Sequence, residues 1–187
     1  MDLPAEADTP TETPVVQPEE DAPADQEACL NGWIDAVVRF PFVLDDFQRR
    51  AMQHIRDEEH VLVAAHTSAG KTTVAEFAIN LHLAAGRRVL YTSPIKALSN
   101  QKYGEFRRKA RDGFLHCNPE EIGIVTGDVQ NCPDGRVIIA TTEIVHNNLY
   151  ADLSYFDDVG AVVFDEVHEV RFPQNCKPRR DVQVALR

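Results

Sequence analysis

Short apolar runs alternate with longer amphipathic segments along the middle of this 187-residue chain. The runs predict strands, which are Val61–Ala65, Val89–Thr92, Ile122–Val125, Val137–Thr141 and Ala161–Phe164. The amphipathic segments have helical spacing, and they are Asp45–Ile55, Thr72–Ala85, Lys96–Ala110 and Glu143–Tyr150. Strands that alternate with helices predict an α/β fold, in which a parallel sheet carries helices on both faces.

Both ends of the chain lack this pattern. Residues 1–28 contain nine Asp or Glu, no Lys or Arg and few large apolar side chains, so we expect a disordered acidic tail. Residues 29–170 form the predicted domain. Residues 171–187 read as a divergent basic tail that contains Pro173 and Pro178 and offers no clear next strand. The domain is therefore predicted to be incomplete at its C-terminus, with an exposed sheet edge.

Composition narrows the class of protein. Hydrophobic residues make up 43% of the chain, which is typical of a globular domain. No apolar run reaches the roughly 18 residues of a membrane span, and no leader-like segment follows Met1, so we expect no membrane association. Four scattered cysteines, Cys29, Cys117, Cys132 and Cys176, favour reduced cytosolic or nuclear thiols over disulfides or a zinc site. Most of the net charge of -11 belongs to the acidic tail, so charge neither indicates nor excludes a nucleic-acid partner.

A loop ending in Gly70-Lys71-Thr72 joins the first predicted strand to the next helix. Backbone N–H groups at such a helix N-terminus bind phosphate, while Lys71 would reach the β- and γ-phosphates and Thr72 would hold Mg²⁺. Ala65 stands where the general pattern of these loops has glycine. The predicted nucleotide-binding residues of the loop are Ala65, His66, Thr67, Ser68, Ala69, Gly70, Lys71, Thr72 and Thr73.

An acidic motif, Asp165-Glu166-Val167-His168, follows the last predicted strand. Two carboxylates at a strand end suit a site that holds Mg²⁺ and activates water. Ligands of parallel α/β sheets bind beyond the carboxyl ends of the strands, so we expect the phosphate loop and the acidic motif to share one site.

Polar loops follow the three remaining strands. Hydroxyl, amide and lysine groups at one sheet edge could form a track for a single nucleic-acid strand. Taken singly, each loop is also ordinary turn or helix-cap chemistry. The candidate nucleic-acid contacts are Pro94, Ile95, Lys96, Asn100, Gln101, Gly127, Asp128, Thr141, Thr142 and Glu143.

Phe42 and Gln48 precede the first strand. A glutamine amide can pair with both edges of adenine, and an upstream aromatic ring could stack on the base. The alternative is that Phe42 and Phe47 belong to the core and Gln48 is a solvated helix residue.

Together these segments resemble the ordered motifs of DExH-box RNA helicases, and especially the superkiller-type branch that feeds RNA to the exosome. The resemblance covers roughly Phe40 to His168. The segments that carry it are Leu44–Gln48, Ala64–Thr72, Tyr91–Lys102, Thr126–Val129, Thr141–Ile144 and Asp165–His168. Thr126–Gln130, followed by Pro133 and Asp134, favours the cytoplasmic member of the branch, with the nuclear exosome cofactor as the alternative.

This resemblance implies a RecA-like P-loop NTPase domain that uses ATP and Mg²⁺ in 3'–5' RNA unwinding. Gln48 would read adenine, Asp165 would coordinate Mg²⁺, and Glu166 would orient or deprotonate the attacking water. His168 would couple the nucleotide site to a later motif. The implied partners are single-stranded RNA, held by its backbone, and the exosome with its adaptor proteins.

The chain departs from the family after the acidic motif. Glu169–Gln174 does not continue the family pattern, and neither a Ser-Ala-Thr motif nor a second RecA-like domain with its arginine finger follows. We therefore expect this fragment alone to lack unwinding activity. Alternatives are a non-catalytic ATP- and RNA-binding module from a truncated gene product, and a P-loop small-molecule kinase, which would leave the polar loops unexplained. DNA could replace RNA, because such loops read the backbone.

Overall fold

A computed structural model describes residues 32–66, 68–166 and 184–186. The predicted acidic tail, Thr67, His168 and most of the basic tail lie outside the described residues. The helices are α1 (residues 32–37), α2 (Asp46–Arg56), α3 (Lys71–Ala84), α4 (Lys96–Arg111) and α5 (Thr142–Ala151). The strands are β1 (Val61–Val63), β2 (Arg88–Ser93), β3 (Ile122–Val125), β4 (Gln130–Asn131), β5 (Val137–Thr141), β6 (Val159–Phe164) and β7 (Val184–Leu186).

One sheet joins the seven described strands in the order β1-β7-β6-β2-β5-β3-β4. Its pairings are parallel except between β3 and β4, which form an antiparallel hairpin. The predicted parallel sheet is thus confirmed. The two-residue strand β4 was missed because so short a strand leaves no apolar run to recognise.

Strand β7 corrects the expectation that residues 171–187 contain no further strand. It lies between β1 and β6, pairing Val61 with Val184 on one side and Val163 with Val184 on the other. The inserted strand links β1 to the rest of the sheet. The edges of the described sheet are therefore β1 and β4.

Helices cover both faces of the sheet, as predicted. Alternate strand residues point to opposite faces, so Tyr91 and Ile139 join a core with α2, α3 and α4. Leu90 and Ile138 join a second, smaller core with Val145 of α5. Burial on both faces explains why the strands read as continuous apolar runs.

Local sequence accounts for where the helices next to the site begin. Asp45 caps α2 in a capping box: its side chain accepts from the backbone of Gln48, whose side chain accepts from the backbone of Asp45. Helix α3 instead begins after Gly70 with no side-chain cap and no acidic residue in its first turn. The uncapped end leaves backbone N–H groups available to an outside acceptor.

No helix within the described ranges is long and apolar enough to cross a membrane. Cys117 and Cys132 are free thiols, while Cys29 and Cys176 lie outside the described residues.

Candidate nucleotide and nucleic-acid site

The phosphate loop is a tight turn between β1 and α3. Ser68 and Gly70 have φ angles of 72° and 79°, and the N–H of Ala69 donates to the carbonyl of His66 over 3.2 Å. Thr73 donates its backbone N–H to the carbonyl of Gly70 over 3.1 Å. The turn brings the chain into the open N-terminus of α3, where aligned peptide dipoles favour an anion.

Lys71 opens α3 and folds over its own loop. Its Nζ donates to the carbonyl oxygens of Ala65 and His66 over 2.8 and 3.0 Å. These acceptors are neutral, and charge-assisted hydrogen bonds to phosphate are roughly twice as strong. The ammonium group is therefore well placed to exchange its loop contacts for a phosphate oxygen.

Gln48 ties α2 to the phosphate loop. The side chain is only 3% exposed; its Oε1 accepts from the N–H of Asp45 over 2.9 Å, and its Nε2 donates to the carbonyl of Gly70 over 3.1 Å. The alternative of a solvated Gln48 is therefore wrong. An adenine-reading role stays a prediction, and it would require the amide to exchange these protein contacts for the base.

Phe42 lies on the chain that enters α2. It is 53% exposed, and its ring centroid is 5.6 Å from that of Phe40, which is buried. The alternative that Phe42 belongs to the core is therefore wrong, whereas Phe47 is partly buried and packs against the core. An exposed aromatic face is suited to stacking, but contact with a base stays a prediction.

Asp165 follows β6 with its carboxylate held at both oxygens. Oδ1 accepts from the N–H of Glu166 over 3.0 Å, and Oδ2 accepts from the hydroxyl of Tyr91 over 2.5 Å. The backbone N–H of Asp165 donates to the carbonyl of Thr92 over 2.9 Å. Glu166 has a φ of 52°, a conformation that non-glycine residues seldom adopt and that turns the chain sharply after the strand.

Tyr91 was not identified from the sequence as part of the site. It sits within an apolar run, where its ring alone explains its presence. The signal that the sequence offered was its hydroxyl group, because a tyrosine oxygen that is buried within an apolar run needs a hydrogen-bond partner.

The donor chemistry fits Mg²⁺ delivered with a nucleotide. Asp165 supplies a fixed carboxylate and Thr72 a hydroxyl, and Mg²⁺ is commonly held by one or two such groups together with phosphate oxygens and water. Among the described residues, no group of three or more His, Cys, Asp or Glu could hold a metal on its own. Asp165 and Thr72 thus fit an ion that is shared with phosphate oxygens.

The candidate nucleic-acid loops follow β2, β3 and β5, which are neighbours in the sheet. Lys96, the first residue of α4, makes an ion pair of 2.5 Å with Asp128 in the turn after β3. That turn is tight, because the N–H of Thr126 donates to the carbonyl of Val129 over 2.8 Å. A side chain on Gly127 would come within 3.4 Å of Lys96 Nζ. The loops after β2 and β3 therefore form one surface, across the end of β5.

The other predicted contacts surround this surface. Thr141 is the N-cap residue of α5, as expected from the sequence, but its side chain makes no capping hydrogen bond. The hydroxyl of Thr142 is buried and has no hydrogen-bond partner within the described part of the chain. Ile95, Lys96, Asn100, Gln101, Gly127, Asp128 and Glu143 are exposed, and Pro94 is half-buried.

The predicted residues thus lie in two halves of one sheet edge, namely the edge formed by the carboxyl ends of the parallel strands. Strands β1 and β6 end at the phosphate loop and the acidic motif, whereas β2, β5 and β3 end at the polar loops. Strand β2 borders both halves, since it pairs with β6 and with β5.

Comparison with known proteins agrees with this geometry. The chain is 46% identical over 136 residues to the human "Exosome RNA helicase MTR4", a match that covers 73% of this chain and 12% of that protein. It is 48% identical over 131 residues to "Antiviral helicase SKI2" of Saccharomyces cerevisiae, covering 70% of this chain and 10% of that protein. The chain thus spans about a tenth of the length of these relatives.

Solved structures share the fold. The Pyrococcus furiosus Hef helicase domain aligns with a TM-score of 0.55 at 23% identity, over 75% of this chain and 32% of that one. The DUF1998 helicase MrfA, bound to DNA and AMPPNP, aligns with a TM-score of 0.62 at 16% identity, over 89% of this chain and 27% of that one. The family described as "DEAD/DEAH box helicase" matches residues 45–178. The chain belongs to the DEAD/DEAH box helicases, and its described residues form the RecA-like fold of that family.

Proposed function

We propose that this chain is the ATP-binding half of an ATP-dependent 3'–5' RNA helicase that feeds RNA to the exosome. The observation that carries the proposal is the division of one sheet edge into a phosphate-binding half and a polar-loop half that share β2. Such an edge can bind a nucleotide and a nucleic-acid backbone side by side on one rigid support.

The chain's own residues then have distinct tasks. Lys71 and the first turn of α3 bind the phosphates of ATP, and Thr72 and Asp165 hold Mg²⁺, which neutralises phosphate charge when bound. Glu166 orients the attacking water or takes its proton. His168 lies outside the described residues, and its coupling role rests on the family resemblance.

The choice of RNA as substrate and of the exosome as partner is supported by the names of the relatives. The human relative is named an exosome RNA helicase, and the yeast relative an antiviral helicase. We place the protein in the cytoplasm, with the nucleus as the alternative. A non-catalytic ATP- and RNA-binding module is the second candidate, and it predicts nucleotide or RNA binding without turnover.

Three measurements on the 187-residue chain test the proposal. A fluorescent ATP analogue should bind in the presence of Mg²⁺, and single-stranded RNA should bind with an affinity that falls as salt rises, as backbone contacts require. A strand-separation assay should give no unwinding by this chain alone. Absence of nucleotide binding would contradict the ATP-binding half, and robust unwinding would contradict the expected inactivity. Tighter binding of DNA than of RNA of the same sequence would contradict the choice of substrate.

The ion pair between Lys96 and Asp128 leads to a first prediction. Lys96→Ala should weaken RNA binding about three- to fivefold. It should also lower the slope of log affinity against log salt concentration by the amount that corresponds to about one phosphate contact. Asp128→Asn should tighten RNA binding about twofold, because it removes a carboxylate that competes with phosphate for Lys96. Both partners are exposed, at 53% and 73%, so only a modest effect is expected from this pair.

Fluorescence anisotropy with labelled RNA at several salt concentrations measures both variants. Arg111→Ala, an exposed change at the far end of α4, is the control. Weaker RNA binding by Asp128→Asn would mean that Asp128 contacts the RNA itself, as the sequence alone suggested.

A further inference from the structure

Tyr91 lies in the middle of the sheet with its ring fixed on one face. The residue is fully buried, and its ring packs edge-on against Phe106 of α4, with centroids 5.1 Å apart and an interplanar angle of 89°. Register pairs Tyr91 with Val163 of β6, two residues before Asp165. The length of the phenol ring carries the hydroxyl forward along the sheet to the strand end.

The hydroxyl meets the acidic motif at this strand end. Tyr91 Oη donates to Asp165 Oδ2 over 2.5 Å, while the other carboxylate oxygen accepts from the N–H of Glu166. One donor comes from β2 and the other from the turn after β6. Two donors from different directions leave the carboxylate a single favoured orientation.

The direction of this hydrogen bond follows from the two groups that make it. A carboxylate oxygen can only accept, so the tyrosine hydroxyl is the donor and Asp165 Oδ2 is the acceptor.

We infer that Tyr91 is a positioning residue for the nucleotide's metal ion, and that its hydroxyl fixes the orientation in which Asp165 meets Mg²⁺. The inference rests on the proposed Mg²⁺-nucleotide site. Outer partners that orient a metal ligand commonly contribute tenfold or more to metal affinity. In this site phosphate oxygens share the ion, so the expected contribution is smaller.

Tyr91→Phe isolates the hydroxyl, because phenylalanine keeps the ring that packs on Phe106. Affinity for a fluorescent ATP analogue is measured twice on each preparation, in excess EDTA and in saturating Mg²⁺. The readout is the ratio of the two affinities, which does not depend on the fraction of folded protein. In Tyr91→Phe the gain on adding Mg²⁺ should fall about three- to tenfold, with affinity in EDTA unchanged.

Tyr103→Phe is the matched control. Tyr103 lies on α4, and its hydroxyl accepts from Asn131 over 3.0 Å rather than contacting the acidic motif. Its Mg²⁺ gain should equal that of the unchanged chain.

The outcomes separate the inference from the function on which it rests. An unchanged or larger Mg²⁺ gain in Tyr91→Phe would overturn the positioning role and leave the nucleotide site standing. Loss of affinity in EDTA and in Mg²⁺ alike would overturn it too, because a merely structural role acts on both. Failure of the unchanged chain to bind the Mg²⁺ nucleotide would remove the proposed function and this inference together.

Discussion

Replacing Lys71 by alanine is expected to remove measurable nucleotide binding. The ammonium group lies over the phosphate loop, where it donates to the carbonyls of Ala65 and His66. Loss of such a charged partner commonly costs about 3 kcal/mol, which corresponds to a fall in affinity on the order of 100-fold. Titration of a fluorescent ATP analogue in Mg²⁺ gives the number directly.

Two comparisons make the Lys71 result interpretable. Arg111→Ala removes a positive charge at the exposed end of α4 and should leave nucleotide affinity unchanged. Thermal unfolding should differ little between Lys71→Ala and the parent, because the lost contacts are hydrogen bonds at a partly exposed loop. An unchanged ATP affinity in Lys71→Ala would show that this loop does not bind the phosphates.

Gly70→Ala is expected to lower nucleotide affinity by at least about 30-fold, a free energy of about 2 kcal/mol. Gly70 has a φ of 79°, which costs a non-glycine residue about 1–2 kcal/mol, and an added Cβ would lie 2.5 Å from Nε2 of Gln48. Gln48 is buried and hydrogen bonded at both ends of its amide. It cannot yield without breaking the link between α2 and the loop.

Gly86→Ala is the control for a side chain at positive φ away from the phosphate loop. Gly86 has a similar φ of 73° and no atom within 4 Å of an added Cβ, so this variant should lower thermal stability through the backbone cost alone. Its nucleotide affinity should match the parent. In a Gln48→Ala background, which already lacks the predicted adenine contact, Gly70→Ala should lower nucleotide affinity by a smaller factor if the collision matters. Equal effects of Gly70→Ala with and without Gln48 would exclude the collision as the cause.

Sequence patterns located most of the fold because each prediction depended on local chemistry. The apolar runs of β2, β3, β5 and β6 need only neighbours in the chain to be recognised. Strand β1 is shorter than predicted, since Ala64 and Ala65 already belong to the phosphate loop. Strand β7 was missed because its three residues have no apolar run long enough to stand out.

The site was predictable in composition but not in its contacts. Motif order placed Lys71 and Asp165 at one edge, whereas the partners of these groups depend on which strands become neighbours. Tyr91 meets Asp165 only because β2 pairs with β6. Lys96 meets Asp128 across the intervening strand β5, an arrangement that no spacing along the chain reveals.

The insertion of β7 also bears on the order in which the sheet assembles. Strand β1 joins its neighbours through β7, although most of the chain lies between the two in sequence. Closing so long a segment is entropically costly and slow, so β1 should dock after the pairing of β2 with β5 and β6. The amide hydrogens of β1 should then exchange with solvent sooner than those of β2. The strand that carries the phosphate loop would form a late, separately opening unit of the domain.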